Sequence, residues 1–126
     1  MSEKSNFLIG LVGLPASGKS SFAKRFKDLF KEKVINFEIL IIDPDIIRES
    51  LTGSEFDPEK EKLVREKNLV DIHSALQQDK IVISDDLNYY TSMRHDLKSI
   101  ANKLKRHFFL STESYYKHSI KILKQD

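Results

Sequence analysis

The chain has 126 residues, 40% of them hydrophobic and 32% charged, with a net charge of +2 and no cysteine. This suffices for one domain with its own core, and the missing cysteine excludes disulfides, thiolate metal sites and cysteine nucleophiles. No apolar run approaches the roughly 20 residues a bilayer-spanning helix needs, and Met1 to Asn6 lacks a cleavable signal pattern, so no membrane partner and a cytoplasmic location are expected.

Phe7 to Val12 reads as a short buried strand. It runs into Gly13-Leu14-Pro15-Ala16-Ser17-Gly18-Lys19-Ser20, which satisfies G-x-x-x-x-G-K-[ST]. A helix over Ser21 to Phe30 follows directly. Strand, glycine loop and helix are what phosphate binding requires, because the loop must turn tightly, bring backbone N–H groups to phosphate and aim a helix N-terminus at the charge. A nucleoside triphosphate is therefore expected on Gly13, Pro15, Ala16, Ser17, Gly18, Lys19, Ser20 and Ser21. Lys19 would contact the β/γ-phosphates and the Ser20 hydroxyl would ligate Mg2+; Ser21 otherwise reads as a structural helix residue.

Phe37 to Ile42 is a β-branched run ending at Asp43-Pro44, followed by a short helix carrying Asp45 and Arg48. Asp57-Pro58 opens a long helix, with Asp57 as N-cap, that continues through Leu63, Leu69, Val70, Ile72 and Leu76 to about Gln78. Gly53-Ser54, within 52–56, reads as a mobile loop. Ile81 to Ile83 is a third strand ending at Ser84-Asp85-Asp86. A helix from Thr91 places Met93, Leu97, Ile100, Ala101 and Leu104 on one stripe. His107 to Ser111 is a fourth strand, and Tyr116, Ser119, Ile120 and Leu123 mark a closing helix. Strands alternating with helices predict an α/β P-loop fold in one domain: a parallel sheet of about four strands between two helical layers.

In such a sheet the carboxyl ends of the strands line the ligand crevice. An acidic residue after the third strand suits magnesium. Side chains alternate along extended backbone, so Asp85 and Asp86 cannot both face one ion, and Asp85 is the expected ligand. Asp45, at the second strand's carboxyl end, can accept the proton of an attacking hydroxyl. Arg48, three residues on and on the same side of the helix, can steady the transferring phosphoryl group. Together with Lys19 these are the expected catalytic residues. Asn88, Tyr89, Tyr90, Met93 and Arg94 form a polar, aromatic stretch suited to an acceptor with stacked bases or a ribose–phosphate. From Lys98 to Lys124 seven basic residues face Glu113 alone, an excess that attracts nucleic acid or solvates a helix face. His73, His95, His107 and His118 lack metal-ligand spacing and read as surface or packing residues.

Three motifs in this order, the Walker loop 13–20, Asp45-Ile46-Ile47-Arg48-Glu49-Ser50 and Asp85-Asp86-Leu87-Asn88-Tyr89-Tyr90-Thr91-Ser92-Met93-Arg94, resemble the archaeal-type L-seryl-tRNA(Sec) kinase family over about residues 7–111. The related Elongator-associated tRNA-binding ATPases share a similar Asp-x-x-Asn-Tyr element. The resemblance implies ATP and Mg2+ as cofactors, Asp45 as catalytic carboxylate, Arg48 as its essential neighbour, and seryl-tRNA as the acceptor. It also implies an arginine-bearing lid after the fourth strand. Here 114–121 carries no arginine, and the sequence given ends at Asp126. The expectation is then a fragment, a minimal relative completed by a second copy or a partner chain, or a nucleotide-binding or assembly module. A tRNA-dependent NTPase switch is the alternative activity.

Overall fold

Every strand lies parallel to its neighbours, in the order β2-β3-β1-β4, with β1 at Phe7–Leu11, β2 at Ile39–Ile42, β3 at Ile81–Ser84 and β4 at His107–Ser111. The structure is a computed structural model describing residues 6–12, 23–29, 31, 37–53, 57–86, 88 and 91–111. Among the described residues the strands are connected by the helices α1 (23–29), α2 (Pro44–Thr52), α3 (Pro58–Gln77) and α4 (Thr91–Lys103).

Alternation along the strands divides the core into two layers. Phe7, Ile9 and Leu11 of β1 join Ile39, Ile81 and Ile83 on one face, under Ala23 and Phe26 of α1. Leu8, Ile42 and Val82 occupy the other, under Ile72, Ala75 and Leu76 of α3 and Leu97 and Ala101 of α4. Most of these side chains are fully buried, each of the Val, Leu, Ile and Phe side chains contributing about 1.5–3 kcal/mol of transfer free energy. A Cβ on Gly10 would lie 3.0 Å from Leu97 Cδ1, so glycine lets α4 approach β1 closely.

Both Asp-Pro pairs start helices in the same way. Asp43 accepts from the Asp45 N–H at 2.8 Å and Asp57 from the Glu59 N–H at 3.0 Å, with proline at the first helical position each time. At the amino end of the sheet, buried Asn6 donates to the carbonyls of Leu76 (2.9 Å) and Lys80 (2.6 Å). Its Oδ1 accepts from Arg106 Nε, and the same guanidinium pairs with Asp79.

The expected architecture is present. β2 begins at Ile39 rather than Phe37, and β3 includes Ser84. Of the apolar residues marking α3, Leu63 and Val70 are exposed. The helix buries Val64, Asn68, Ile72, Ala75 and Leu76, because the stripe facing sheet and α4 follows i, i+4, i+8 from Val64. The closing helix expected beyond 111 lies outside the described residues.

Candidate active site

Strand order sets the site. With β3 hydrogen-bonded beside β1, Gly10 pairs with Ser84, so Asp85 follows the strand level with Leu11, two residues before the Walker glycine Gly13. The Asp85 N–H donates to the Ile42 carbonyl at 2.9 Å, which fixes the strand ends against each other. Asp85 is buried, whereas neighbouring Asp86 lines a cleft of about 450 Å3 between α2, α3 and the start of α4. The two adjacent carboxylates, both just past the end of β3, thus sit in different surroundings. The Walker residues 13–20 and Ser21, expected to hold nucleotide, lie outside the described residues, as do Tyr89 and Tyr90.

At the cleft's outer end Arg48 gathers two carboxylates. Its Nη1 pairs with Asp45 Oδ1 one turn back on α2. Its Nε and Nη2 donate to Glu61 Oε2 and Oε1 at 2.6 and 2.9 Å, a two-pronged bond across to α3. Donating to the Glu61 carboxylate raises the Arg48 pKa above its ordinary range, against the opposing effect of burial, with a smaller contribution from Asp45. The reciprocal bond from Arg48 holds the Glu61 carboxyl below its ordinary range. The planar guanidinium matches a carboxylate along one edge, so Arg48 has a defined direction while the exposed Asp45 carboxylate stays open to solvent. Glu61 was not singled out from sequence. Its signal is a fixed distance, since the Asp57-Pro58 start sets Glu61 in the first turns of α3, where that helix faces α2.

Asn88 is buried and adopts a left-handed backbone (φ 50°), a conformation asparagine tolerates better than most residues. Its Nδ2 donates to the Leu11 carbonyl at 2.8 Å and to the Asp86 carbonyl at 3.3 Å. Arg94 donates back from α4, Nη1 to the Asn88 carbonyl (3.2 Å) and Nη2 to Thr91 Oγ1 (3.3 Å). The structure therefore brings Arg48, Asn88 and Met93 to one cleft. It gives Asn88 bonds to Leu11 and Asp86 and Arg94 bonds to Asn88 and Thr91, and it adds Lys62, Arg65 and Asn68 from α3 to the lining.

Among the described residues, no cluster of three or more His, Asp or Glu could hold a metal ion, and no helix is long and apolar enough to cross a membrane. A magnesium site here would draw on Asp85 together with a phosphate-bound loop residue. A buried carboxylate just past a strand's carboxyl end, level with Leu11 on the strand that runs into the Walker sequence, fits that requirement.

A parallel 2-3-1-4 sheet with a G-x-x-x-x-G-K-S sequence leaving its central strand defines a P-loop kinase-like nucleotide-binding fold. Solved structures share it. They include the Mycobacterium tuberculosis APS kinase CysC (TM-score 0.64, 16% identity, 97% of this chain and 99% of that one) and Chaetomium thermophilum Kti12 in complex with ADP-AlF3 (TM-score 0.55, 17% identity, 88% and 64%). A family model matches residues 7–121, and the chain belongs to that family, described as chromatin associated protein KTI12. It is also 42% identical over 96 residues to the L-seryl-tRNA(Sec) kinase of Methanococcus maripaludis, covering 76% of this chain and 36% of that protein. The KTI12 homolog of Danio rerio is 32% identical over 92 residues, covering 71% and 32%. The chain thus spans about a third of the length of these curated relatives.

Proposed function

We propose that this chain is the core of an ATP-dependent phosphotransferase that moves the γ-phosphate to the hydroxyl of an aminoacyl-tRNA-type acceptor. The observation that carries the reading is the Asp45–Arg48–Glu61 arrangement, at the mouth of a cleft beside the strand ends that flank the Walker sequence. Identity to the seryl-tRNA kinase supports the choice of acceptor.

Residue roles follow from chemistry. Lys19 neutralises the β/γ-phosphates, and Ser20 with Asp85 would hold Mg2+, which when bound offsets phosphate charge. Asp45 accepts the proton of the attacking hydroxyl as its oxygen bonds to the γ-phosphorus and the bond from that phosphorus to the β–γ bridging oxygen breaks, ADP leaving. Arg48, aimed by Glu61, stabilises charge on the transferring group. Asn88 and Arg94 position the loop between β3 and α4, and Met93 gives the acceptor an apolar wall; Tyr89 and Tyr90 are assigned to stack against it.

Transfer of label from γ-labelled ATP to seryl-tRNA tests the reading, with Lys19→Ala as the variant expected to lose both nucleotide and transfer. The resemblance to tRNA-binding ATPases, together with the ADP-AlF3 held by Chaetomium thermophilum Kti12, favours a second reading, a tRNA-dependent NTPase switch. It predicts labelled inorganic phosphate and unlabelled tRNA.

A further inference from the structure

Asn68 is buried (6% exposed) on α3 and lines the cleft, and among the described residues no donor reaches its Oδ1. A buried carbonyl without a partner is destabilising, so a chain that keeps one in a cleft wall has a use for it. The position narrows that use. Glu61, Arg65 and Asn68 share one stripe of α3, and Asn68 lies seven residues beyond Glu61, a rise of about 10 Å. A hydroxyl reacting beside Asp45 and Arg48, next to Glu61, is therefore separated from Asn68 by about two turns of α3. The amine of the same aminoacyl group, only two carbons from its hydroxyl, cannot span that gap.

Along this line the lining changes character. It begins with the Arg48–Glu61 pair, passes the cationic Lys62 and Arg65, the latter paired with Asp96, and ends at Asn68, where Leu69 and Leu97 also line the cleft. The order suits a hydroxyl, then a sugar–phosphate, then a flat heterocycle between apolar side chains. An asparagine amide presents one acceptor and one donor side by side, which matches a base edge carrying an amine next to a ring nitrogen. We infer that Asn68 reads the amino-bearing edge of a nucleobase, adenine or cytosine, at the far end of the acceptor. This inference rests on the phosphotransferase reading and extends it by assigning the far end of the cleft to the nucleotide that carries the aminoacyl group.

The test uses stable amide mimics of 3′-seryl-adenosine, with cytidine, inosine and uridine counterparts, binding to the chain saturated with AMPPNP and Mg2+. The adenosine or the cytidine mimic should bind at least about tenfold more tightly than its keto counterpart, inosine or uridine respectively. Whichever pair discriminates identifies the base. The Asn68 side-chain amide signals should shift with the preferred mimic, and Asn68→Leu should erase the preference while raising Tm, since it removes the unpartnered carbonyl. Equal binding of amino and keto mimics by the unsubstituted chain, binding of neither, or a preference that survives Asn68→Leu would overturn the inference. Phosphate transfer is scored separately. Transfer without base preference overturns this inference and leaves the kinase reading standing, whereas base-selective binding without transfer does the reverse.

Discussion

The buried side-chain amide of Asn88 donates to the carbonyl of Leu11, 77 positions earlier and two residues before the Walker sequence begins. It joins the loop that carries Asp86 to the strand that delivers the phosphate loop, so the two halves of the site are held together by a bond made nowhere in the sheet ladder.

Breaking that bond should be felt at the nucleotide. Asn88→Gly keeps the left-handed backbone accessible and removes only the amide, whereas Asn88→Ala adds a conformational cost of about 1 kcal/mol. Both variants should raise the Kd for nucleotide about fivefold, the equivalent of one hydrogen bond of about 1 kcal/mol, and Ala should lower Tm further than Gly. Calorimetric titration with an ATP analogue checks it; unchanged binding in both variants would leave Asn88 with a packing role alone.

Glu61→Gln keeps the shape and removes the charge that holds Arg48. Because Glu61 and Arg48 are partly exposed, the expected loss of stability is small, about 1 kcal/mol. Its pH dependence is the sharper signature. The folded-state pKa of Glu61 lies below its ordinary value of 4.5, so its contribution is complete above that value and disappears as pH falls through the lower, folded value. Urea unfolding should therefore separate the unsubstituted chain from Glu61→Gln by a constant amount from pH 8 to 5, and the gap should close below about pH 4.5.

Asn6 offers a control far from the site. Its amide satisfies two carbonyls and its carbonyl receives Arg106, so Asn6→Ala should cost about 2 kcal/mol, the order expected when buried polar groups lose their partner. Nucleotide affinity at temperatures well below Tm should not change. A loss of affinity there would mean that the two ends of the sheet are coupled.

Much of this was legible in the sequence because period and punctuation speak locally. Asp57-Pro58 announced the start of α3, and β-branched runs announced the strands. Glu61 and Asn68 were not legible. Each is one polar residue among many on a 20-residue helix, and its meaning depends on how that helix rotates against α2 and α4. The same rotation leaves Leu63 and Val70 exposed, which hydropathy alone would have turned inward. Asn88 looked like an acceptor contact because it stands among tyrosines and an arginine. Its left-handed backbone and its reach to Leu11 are tertiary facts.

The most direct test of the central proposal follows the γ-phosphate of labelled ATP in the presence of seryl-tRNA, comparing the unsubstituted chain with Asp45→Asn. The account predicts label on the seryl hydroxyl, a loss of about 10²-fold or more in transfer rate for Asp45→Asn, and nucleotide affinity that stays the same. Label released only as inorganic phosphate, or transfer undiminished by Asp45→Asn, would contradict it.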